Sequence, residues 1–350
     1  MKVIHILPSF TIPQAGLFYA VKGLAQFKSV ETEIWTWTFD YSAVSVKKIR
    51  LASLMWNFFK ARNAEVVCHF HGCWSFKLFV GVLVAKFLKK PVYFHPHGML
   101  SPWALSHRRT RKQFALILFQ TRMLCLADRI VCSSWIEQRE LNLLRGSWAP
   151  KIVCIPNGVE PPRVQRVPWL FNKTLGFLSR LHEKKGVLQL ISAFSASDLM
   201  EWNLVIGGYG EPDFVRECEA LARFSNKTIH FLGAITDDMK DQFFMEIDYL
   251  VLPSLSENFG IVVAESLARG VPVLTTQNTP WFNDADTGVI EIHTDSIELS
   301  SELSSVATIN SENYAALSEL AVKHAAKFYW PEIEHRYIDE YVEFLGCSPR

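Results

Sequence analysis

Residues 249–268 read YLVLPSLSENFGIVVAESLA. Tyr249 to Leu252 is an apolar run of strand length, and Ile261 to Ala268 carries apolar residues at helical spacing, so the stretch predicts strand, loop and helix. Glu257 falls in the loop and Glu265 on the helix. Eight residues are a little over two helical turns, so a Glu257 placed just ahead of the helix faces the same side as Glu265. A carboxylate can accept two hydrogen bonds from neighbouring hydroxyls of a sugar or ribose. The same residues also suit a solvated helix start stabilised by the helix dipole. Ser266, Ala268 and Gly270 are small enough to let a ligand or strand approach.

Outward from this unit the pattern repeats. Strands are expected at 174–178, 203–206, 228–232 and 272–275, with helices at 187–196, 213–224, 237–245 and 261–268. Nearer the start, strands are expected at 3–6, 32–39, 66–70, 92–95, 129–132 and 152–155, and helices at 16–27, 45–62, 75–88, 108–126 and 134–144. Strand and helix alternating in this way imply parallel sheets covered by helices on both faces. Between the two series lies PNGVEPPRVQRVP, residues 156–168, whose prolines and lack of periodicity read as a linker. The expected organisation is an α/β chain of two doubly wound, Rossmann-like domains facing across a cleft: 1–160, a linker at 161–170, and 171–327. A terminal helix at 328–350 is expected to cross the junction between the domains and pack back toward the first. In such sheets ligands bind beyond the carboxyl ends of the strands.

Composition sets the class. The chain has 350 residues, 49% hydrophobic and 20% charged, enough for two cores without staples and unlike a disordered chain. Its seven cysteines are scattered, odd in number and never form C-x-x-C, which favours reduced, buried thiols over disulfides or zinc. The start MKVIHILPSF reads as a buried strand and not as a signal peptide. Phe76 to Leu88 is too short to span a bilayer and carries two lysines. A cytoplasmic location is expected, with peripheral contact at the inner face of the membrane. Residues 1–160 hold 21 Lys and Arg against 8 Asp and Glu, and the remainder 15 against 27. A half so basic could meet an anionic membrane surface, phosphorylated lipids or nucleic acid, or dock on the acidic half.

Arg180 and Lys185 stand five residues apart after the strand at 174–178, followed by Gly186 at a helix mouth. Two cations, backbone N–H donors and a glycine turn suit a diphosphate; in an exposed loop they would be surface decoration. Pro13-Gln-Ala-Gly16 before a helix could bring amides to a phosphate. His95-Pro-His97-Gly98 places two imidazoles at a strand end, where a histidine can bond a sugar hydroxyl or shuttle a proton. His69 and His71 form a similar pair, fitting an acceptor pocket or the core. H-x-H without Cys, Asp or a further His makes a weak metal pair, so no metal is expected. Gly207-Gly208-Tyr-Gly210 lacks the full dinucleotide glycine pattern, Asp284-Ala-Asp286 lacks supporting ligands, and Asp237-Asp238 reads as an N-cap and its neighbour. His107-Arg108-Arg109-Thr110-Arg111-Lys112 leads into an amphipathic helix, whose arginines suit anionic lipid or a lipid diphosphate. Nucleic-acid binding is disfavoured, because the basic residues lack interleaved aromatics.

Taken in order, the loop near Gly16, His97-Gly98, Pro156-Asn157-Gly158-Val159, Arg180, Lys185-Gly186, Gly207-x-x-Gly210 and the E-x7-E segment resemble the family-four retaining glycosyltransferases of the GT-B fold. HPHGMLSPWAL and NTPWFND are most similar to enzymes of bacterial lipopolysaccharide, O-antigen or capsule synthesis. The resemblance implies a nucleotide-diphosphate sugar as donor, with a UDP- or GDP-linked hexose, a glycan or lipid-linked acceptor, retention, and no metal or other cofactor. It assigns Arg180 and Lys185 to the diphosphate, Glu265 to the ribose, and Glu257 with Asn258, Phe259 and Gly260 to the transferred sugar. Leu232, Gly233, Ala234 and Ile235 would meet the base, Gly16 a phosphate, and His97 the sugar. His71, Trp103, Arg108, Arg109 and Arg111 would serve the acceptor or the membrane. The chain departs from the family at Gln14-Ala15-Gly16, where paired glycines are usual, and after Thr276, where Gln-Asn-Thr-Pro-Trp281 replaces a glycine-rich turn. A nucleotide-sugar epimerase, a phosphorylase or a non-catalytic glycan binder of the same fold would carry many of these residues.

Overall fold

A computed structural model of the chain describes residues 1–11, 15–39, 46–60, 65–106, 109–164, 171–281, 287–306 and 308–346. It divides into two compact units, Met1–Gly158 with Trp330–Arg350, and Val159–Tyr329.

The first unit is built on a seven-stranded sheet of β1 (Lys2–Phe10), β2 (Glu31–Phe39), β3 (Val46–Lys48), β4 (Val66–His71), β5 (Val92–His95), β6 (Arg129–Cys132) and β7 (Ile152–Cys154). The spatial order is β3-β2-β1-β4-β5-β6-β7, and the pairings are parallel. Every residue of β4 and β5 is buried, because helices cover both faces and leave no polar side to alternate with. Two expected helices differ. The segment 45–62 yields β3, which pairs with Ile34–Thr36 of β2, then a short 3₁₀ turn and a helix at Leu54–Lys60. The helix expected at 108–126 breaks into Arg109–Ala115, a π turn Leu116–Gln120 and Thr121–Leu126. The π turn carries Gln120 into the core, where its Oε1 accepts the Trp74 amide at 2.9 Å.

The terminal helix Trp330–Leu345 belongs to this first unit. Its buried face, Ile333, Tyr337 and Tyr341, packs with Val3, Val67, Tyr93 and Val131 on one side of the sheet. Glu340 accepts from Arg129 Nε at 2.8 Å and from the Tyr93 hydroxyl at 3.3 Å, and Glu334 accepts the amides of Lys28 and Ser29.

The second unit repeats the architecture on six strands, β8 (Thr174–Leu178), β9 (Asn203–Gly207), β10 (Thr228–Gly233), β11 (Tyr249–Leu252), β12 (Val273–Thr275) and β13 (Val289–Glu291), in the order β10-β9-β8-β11-β12-β13. Strand β13 and the helices Ser296–Val306 and Ser311–Ala325 extend it beyond the pattern legible in the sequence. The three residues of β13 are too few for a period to emerge. In both units the strands run one way, so all βα loops of a sheet gather at one edge. Most of the linker, residues 165–170, lies outside the described residues, as do Pro13, Gln14, Asp284 and Asp286.

Candidate active site

In the second unit β8 lies beside β11, so the loops that follow them are neighbours. The β8 loop carries Arg180, which is exposed, and a 3₁₀ turn Glu183–Lys185 capped by the His182 side chain. Gly186 then turns at φ +70°, and a Cβ there would sit 2.1 Å from the Pro253 carbonyl oxygen. Glycine is required on both counts. That contact, with the Leu255 amide donating to the Lys184 carbonyl at 2.8 Å, binds the β8 loop to the β11 loop. Gly208, at φ +143°, likewise lies against the Ser179 carbonyl. The glycines after β9 are therefore needed for loop-on-loop packing, whatever nucleotide contact they make.

Across this junction Lys185 Nζ donates to Glu257 Oε2 in a close ion pair, with side chains only 16% and 12% exposed. Ser254 Oγ lies 3.5 Å from the same oxygen, and the Glu257 amide donates to the Asn278 carbonyl at 3.1 Å. Burial alone would raise the Glu257 carboxyl. Lys185, Lys184 and the Asn258 amide outweigh it and hold the group below the usual carboxylate range. The departing stretch after Thr276 thus has a defined task. Asn278 holds the Glu257 backbone, Thr276 Oγ1 donates to the Ser254 carbonyl at 2.7 Å, and Trp281 Nε1 donates to the Phe259 carbonyl. Gly260, at φ +78°, opens the helix Ile261–Ala268.

Glu265, on that helix, pairs with Lys240 at 2.6 Å, and Lys240 also meets Asp237 at 3.2 Å. Sequence reasoning missed Lys240. It also read Asp237-Asp238 as an N-cap, whereas the helix is Lys240–Glu246, Met239 holds the cap position without a side-chain bond, and Asp237 serves the lysine. Leu232, Gly233 and Ala234 are exposed at the end of β10, and Ile235 is half-buried.

In the first unit His97 and Gly98 form a turn with both residues at positive φ, 54° and 71°. A non-glycine residue holds that conformation only when its surroundings enforce it. The enforcer is Glu137, buried in the helix Trp135–Leu144: Oε1 accepts the Gly98 amide at 2.6 Å and Oε2 the Ser133 amide at 2.8 Å. Ser134 caps that helix by accepting the Glu137 amide at 3.1 Å. The pattern Ser134-x-x-Glu137 was the available signal, but a capping box does not reveal that its carboxylate reaches another loop.

His97 heads a cluster with His5, His69, His71 and His95. In register His5 pairs with His69, and His71 with His95, so their side chains share one face. His5 Nδ1 lies 2.9 Å from His71 Nε2, and His71 Nδ1 lies 3.0 Å from His97 Nε2. His5, His69, His71 and His95 are wholly buried, and His97 is half-buried. Burial holds all five below the usual imidazole value, His5 and His97 to about 3. Of the two places expected for His71, an acceptor pocket or the core, the structure puts it in the core. It has no exposed surface, and both its nitrogens face other histidines.

Gly16 is exposed, with nothing within 4 Å of the position a Cβ would take. Trp103 is half-buried on the helix Pro102–Ser106. Arg111 is exposed, Arg109 opens its helix, and Arg108 lies outside the described residues. Just beyond, Phe114, Ile117 and Leu118 are 69%, 73% and 62% exposed. No helix among the described residues is long and apolar enough to cross a membrane.

Two family models match the chain in tandem: "Glycosyltransferase Family 4" over residues 31–163 and "Glycosyl transferases group 1" over residues 169–323. Among relatives, a D-inositol 3-phosphate glycosyltransferase of Acidothermus cellulolyticus is 25% identical over 66% of this chain and 56% of its own length. The chain thus spans little more than half of that relative. A GDP-mannose:cellobiosyl-diphosphopolyprenol alpha-mannosyltransferase of Xanthomonas oryzae is 22% identical over 81% of this chain and 76% of its own. Among solved structures, Anabaena Alr3699/HepE in complex with UDP and glucose superposes with a TM-score of 0.80 at 17% identity, covering 98% of this chain and all of that one.

Proposed function

The chain belongs to the glycosyltransferases of the GT-B, family 4 type, and we propose from that premise that it moves a hexose, with retention, from a nucleotide-diphosphate sugar to a glycan or lipid-linked acceptor in bacterial surface polysaccharide synthesis. The observation that carries the proposal is the largely buried Lys185–Glu257 pair, with the exposed Arg180 on the same β8 loop, at the carboxyl edge of the second sheet. It sets a fixed cation and a fixed carboxylate side by side, as a substrate with a diphosphate next to sugar hydroxyls requires.

In the proposed reaction the bond from the anomeric carbon to the diphosphate oxygen breaks, and its electron pair stays on that oxygen. Arg180, Lys185 and the amides at the mouth of the helix Val187–Ala196 stabilise the developing charge. The acceptor hydroxyl attacks from the face the diphosphate leaves and gives its proton to the departing oxygen, so configuration is retained. No protein nucleophile and no metal is assigned a step. Glu257, kept ionised by Lys185, accepts from hydroxyls of the sugar, Glu265 accepts from the ribose, and His97 meets a sugar oxygen. The Xanthomonas relative's name includes a GDP-mannose donor and a polyprenol-diphosphate acceptor, and the basic, apolar surface at Arg111, Phe114, Ile117 and Leu118 suits peripheral contact with the membrane that holds such lipids.

The test is a screen of UDP- and GDP-hexoses for a rise in melting temperature, followed by incubation of the stabilising donor with lipid-diphosphate acceptors and assignment of the linkage by NMR. An α-linked product from an α-linked donor is expected. An inverted product would remove retention, and stabilisation by no nucleotide sugar would remove the donor class.

A further inference from the structure

The five-histidine cluster of the first unit is not explained by one sugar contact at His97. Two roles are open to buried imidazoles: ligands to a metal ion, or a chain of proton-bearing hydrogen bonds. The ring geometry separates them. His95 and His97 are stacked with centroids 3.7 Å apart and planes 14° from parallel, and His69 stacks on His71 at 4.3 Å and 23°. His5, His69 and His71, and His71, His95 and His97, each bring ring nitrogens within 4.8 Å of one another. An imidazole lone pair lies in its ring plane, however, so the two members of a near-parallel stack do not aim theirs at one ion, and each triad contains such a stack. The nitrogens that do face each other, His5 to His71 and His71 to His97, stand at hydrogen-bond distance with room for one proton each.

A neutral imidazole has one N–H and one lone pair. His71 must therefore donate to one neighbour and accept from the other, which gives the chain a direction. In one register every member carries its proton on Nδ1: His5 donates to His71, His71 donates to His97 Nε2, and His97 presents an Nδ1–H donor. In the other every proton sits on Nε2, and His97 presents a bare nitrogen. The inner end decides between them. His5 Nε2 is buried and has no hydrogen-bond partner among the described residues. In the second register it would be an orphaned N–H, the rarer defect in folded proteins; in the first it is only an unused lone pair.

We propose that His5 and His71 are positioning residues that hold His97 as a neutral Nδ1–H tautomer, making it a hydrogen-bond donor toward a ligand oxygen and not a base. The tautomer itself stands on the chain alone. Its consequence for transfer rests on the proposed contact between His97 and the sugar.

The full chain, labelled with ¹⁵N-histidine and free of ligand, reports the tautomer directly by long-range ¹H–¹⁵N correlation, with signals assigned through single histidine substitutions. Nδ1–H patterns for His5, His71 and His97 are expected. An Nε2–H pattern at His97 overturns the proposal, as does loss of these protons on titration with one equivalent of zinc. His71→Asn keeps an N–H donor near the Nδ1 position and should preserve both the His97 tautomer and kcat/KM to within about twofold. His71→Leu removes the donor and should release His97 to a mixture and lower kcat/KM about tenfold, the equivalent of one hydrogen bond. Equal effects of the two substitutions on the His97 signal overturn the relay. His97→Ala is assayed alongside: undiminished transfer refutes the sugar contact, and the NMR result still decides the tautomer.

Discussion

The smallest unit of consequence is the Lys185–Glu257 pair. Removing one member of a buried pair leaves the other uncompensated, whereas removing both does not. Lys185→Ala should therefore cost about 2–3 kcal/mol in urea unfolding of the second unit, and Lys185→Ala combined with Glu257→Gln should recover most of that. Transfer should fall about 100-fold or more in either background, because the cation proposed to meet the leaving group is gone in both. A stable yet inactive double variant would separate the fold from the chemistry, and one that transfers normally would refute the assignment. The pair also sets an acid limit. The folded carboxyl titrates below its unfolded value of 4.5, so its stability contribution is complete above that pH and is lost as pH falls through the folded pKa. The histidines act at a higher pH. Their folded values lie below the unfolded 6.5, so the unfolded chain binds more protons and stability declines as pH drops below 6.5. Each of the four wholly buried rings adds to that loss, because the unfolded chain takes up a proton that the folded ring refuses. Circular dichroism should show the first unit losing stability as the pH falls below 6.5, and His69→Phe should move the acid midpoint down.

Secondary elements were the most legible level, and their junctions the least. Strands such as Tyr249–Leu252 and helices such as Ile261–Ala268 stand where the apolar pattern puts them, because burial on a sheet or helix face is a local rule of spacing. Val46–Lys48 was missed because one valine and two lysines carry no period; pairing with β2 makes it a strand. The segment 108–126 reads as one amphipathic helix, yet a π turn interrupts it to satisfy Trp74, which no local pattern records. Loop junctions give sharper tests. Gly186→Ala would press a Cβ onto Pro253 in a left-handed turn and should cost about 2 kcal/mol or more and abolish donor-induced stabilisation. An alanine with normal stability and donor response would mean that the two loops are not locked. At the basic helix, Arg111→Glu with Ile117→Ser and Leu118→Ser should weaken co-sedimentation with anionic liposomes without changing the melting temperature, since these side chains are exposed. Unchanged sedimentation would sink the membrane contact.

On the scale of the whole chain, the terminal helix returns to complete the first unit. Trp330 lies where a side chain on Gly23 or Gly158 would collide with it, and Ile333, Tyr337 and Tyr341 fill the face over Tyr93. Deleting residues 330–350 removes three fully buried side chains worth about 1.5–3 kcal/mol each. Limited proteolysis of the truncated chain should find the first unit digested and residues 171–329 protected; protection of both would show that the helix is dispensable. By itself the sequence determined two parallel-sheet units and the loops that carry Arg180, Lys185, Glu257 and His97, since strand, loop and helix are written in local spacing and a βα loop falls at the strand's carboxyl end in any such sheet. Only the tertiary structure decided the partners. Lys185 meets Glu257, 72 residues away, because β8 lies beside β11, and His5 meets His71, 66 residues away, because β1 lies beside β4. Strand order is settled by packing over the whole sheet, so no window of the sequence contains it.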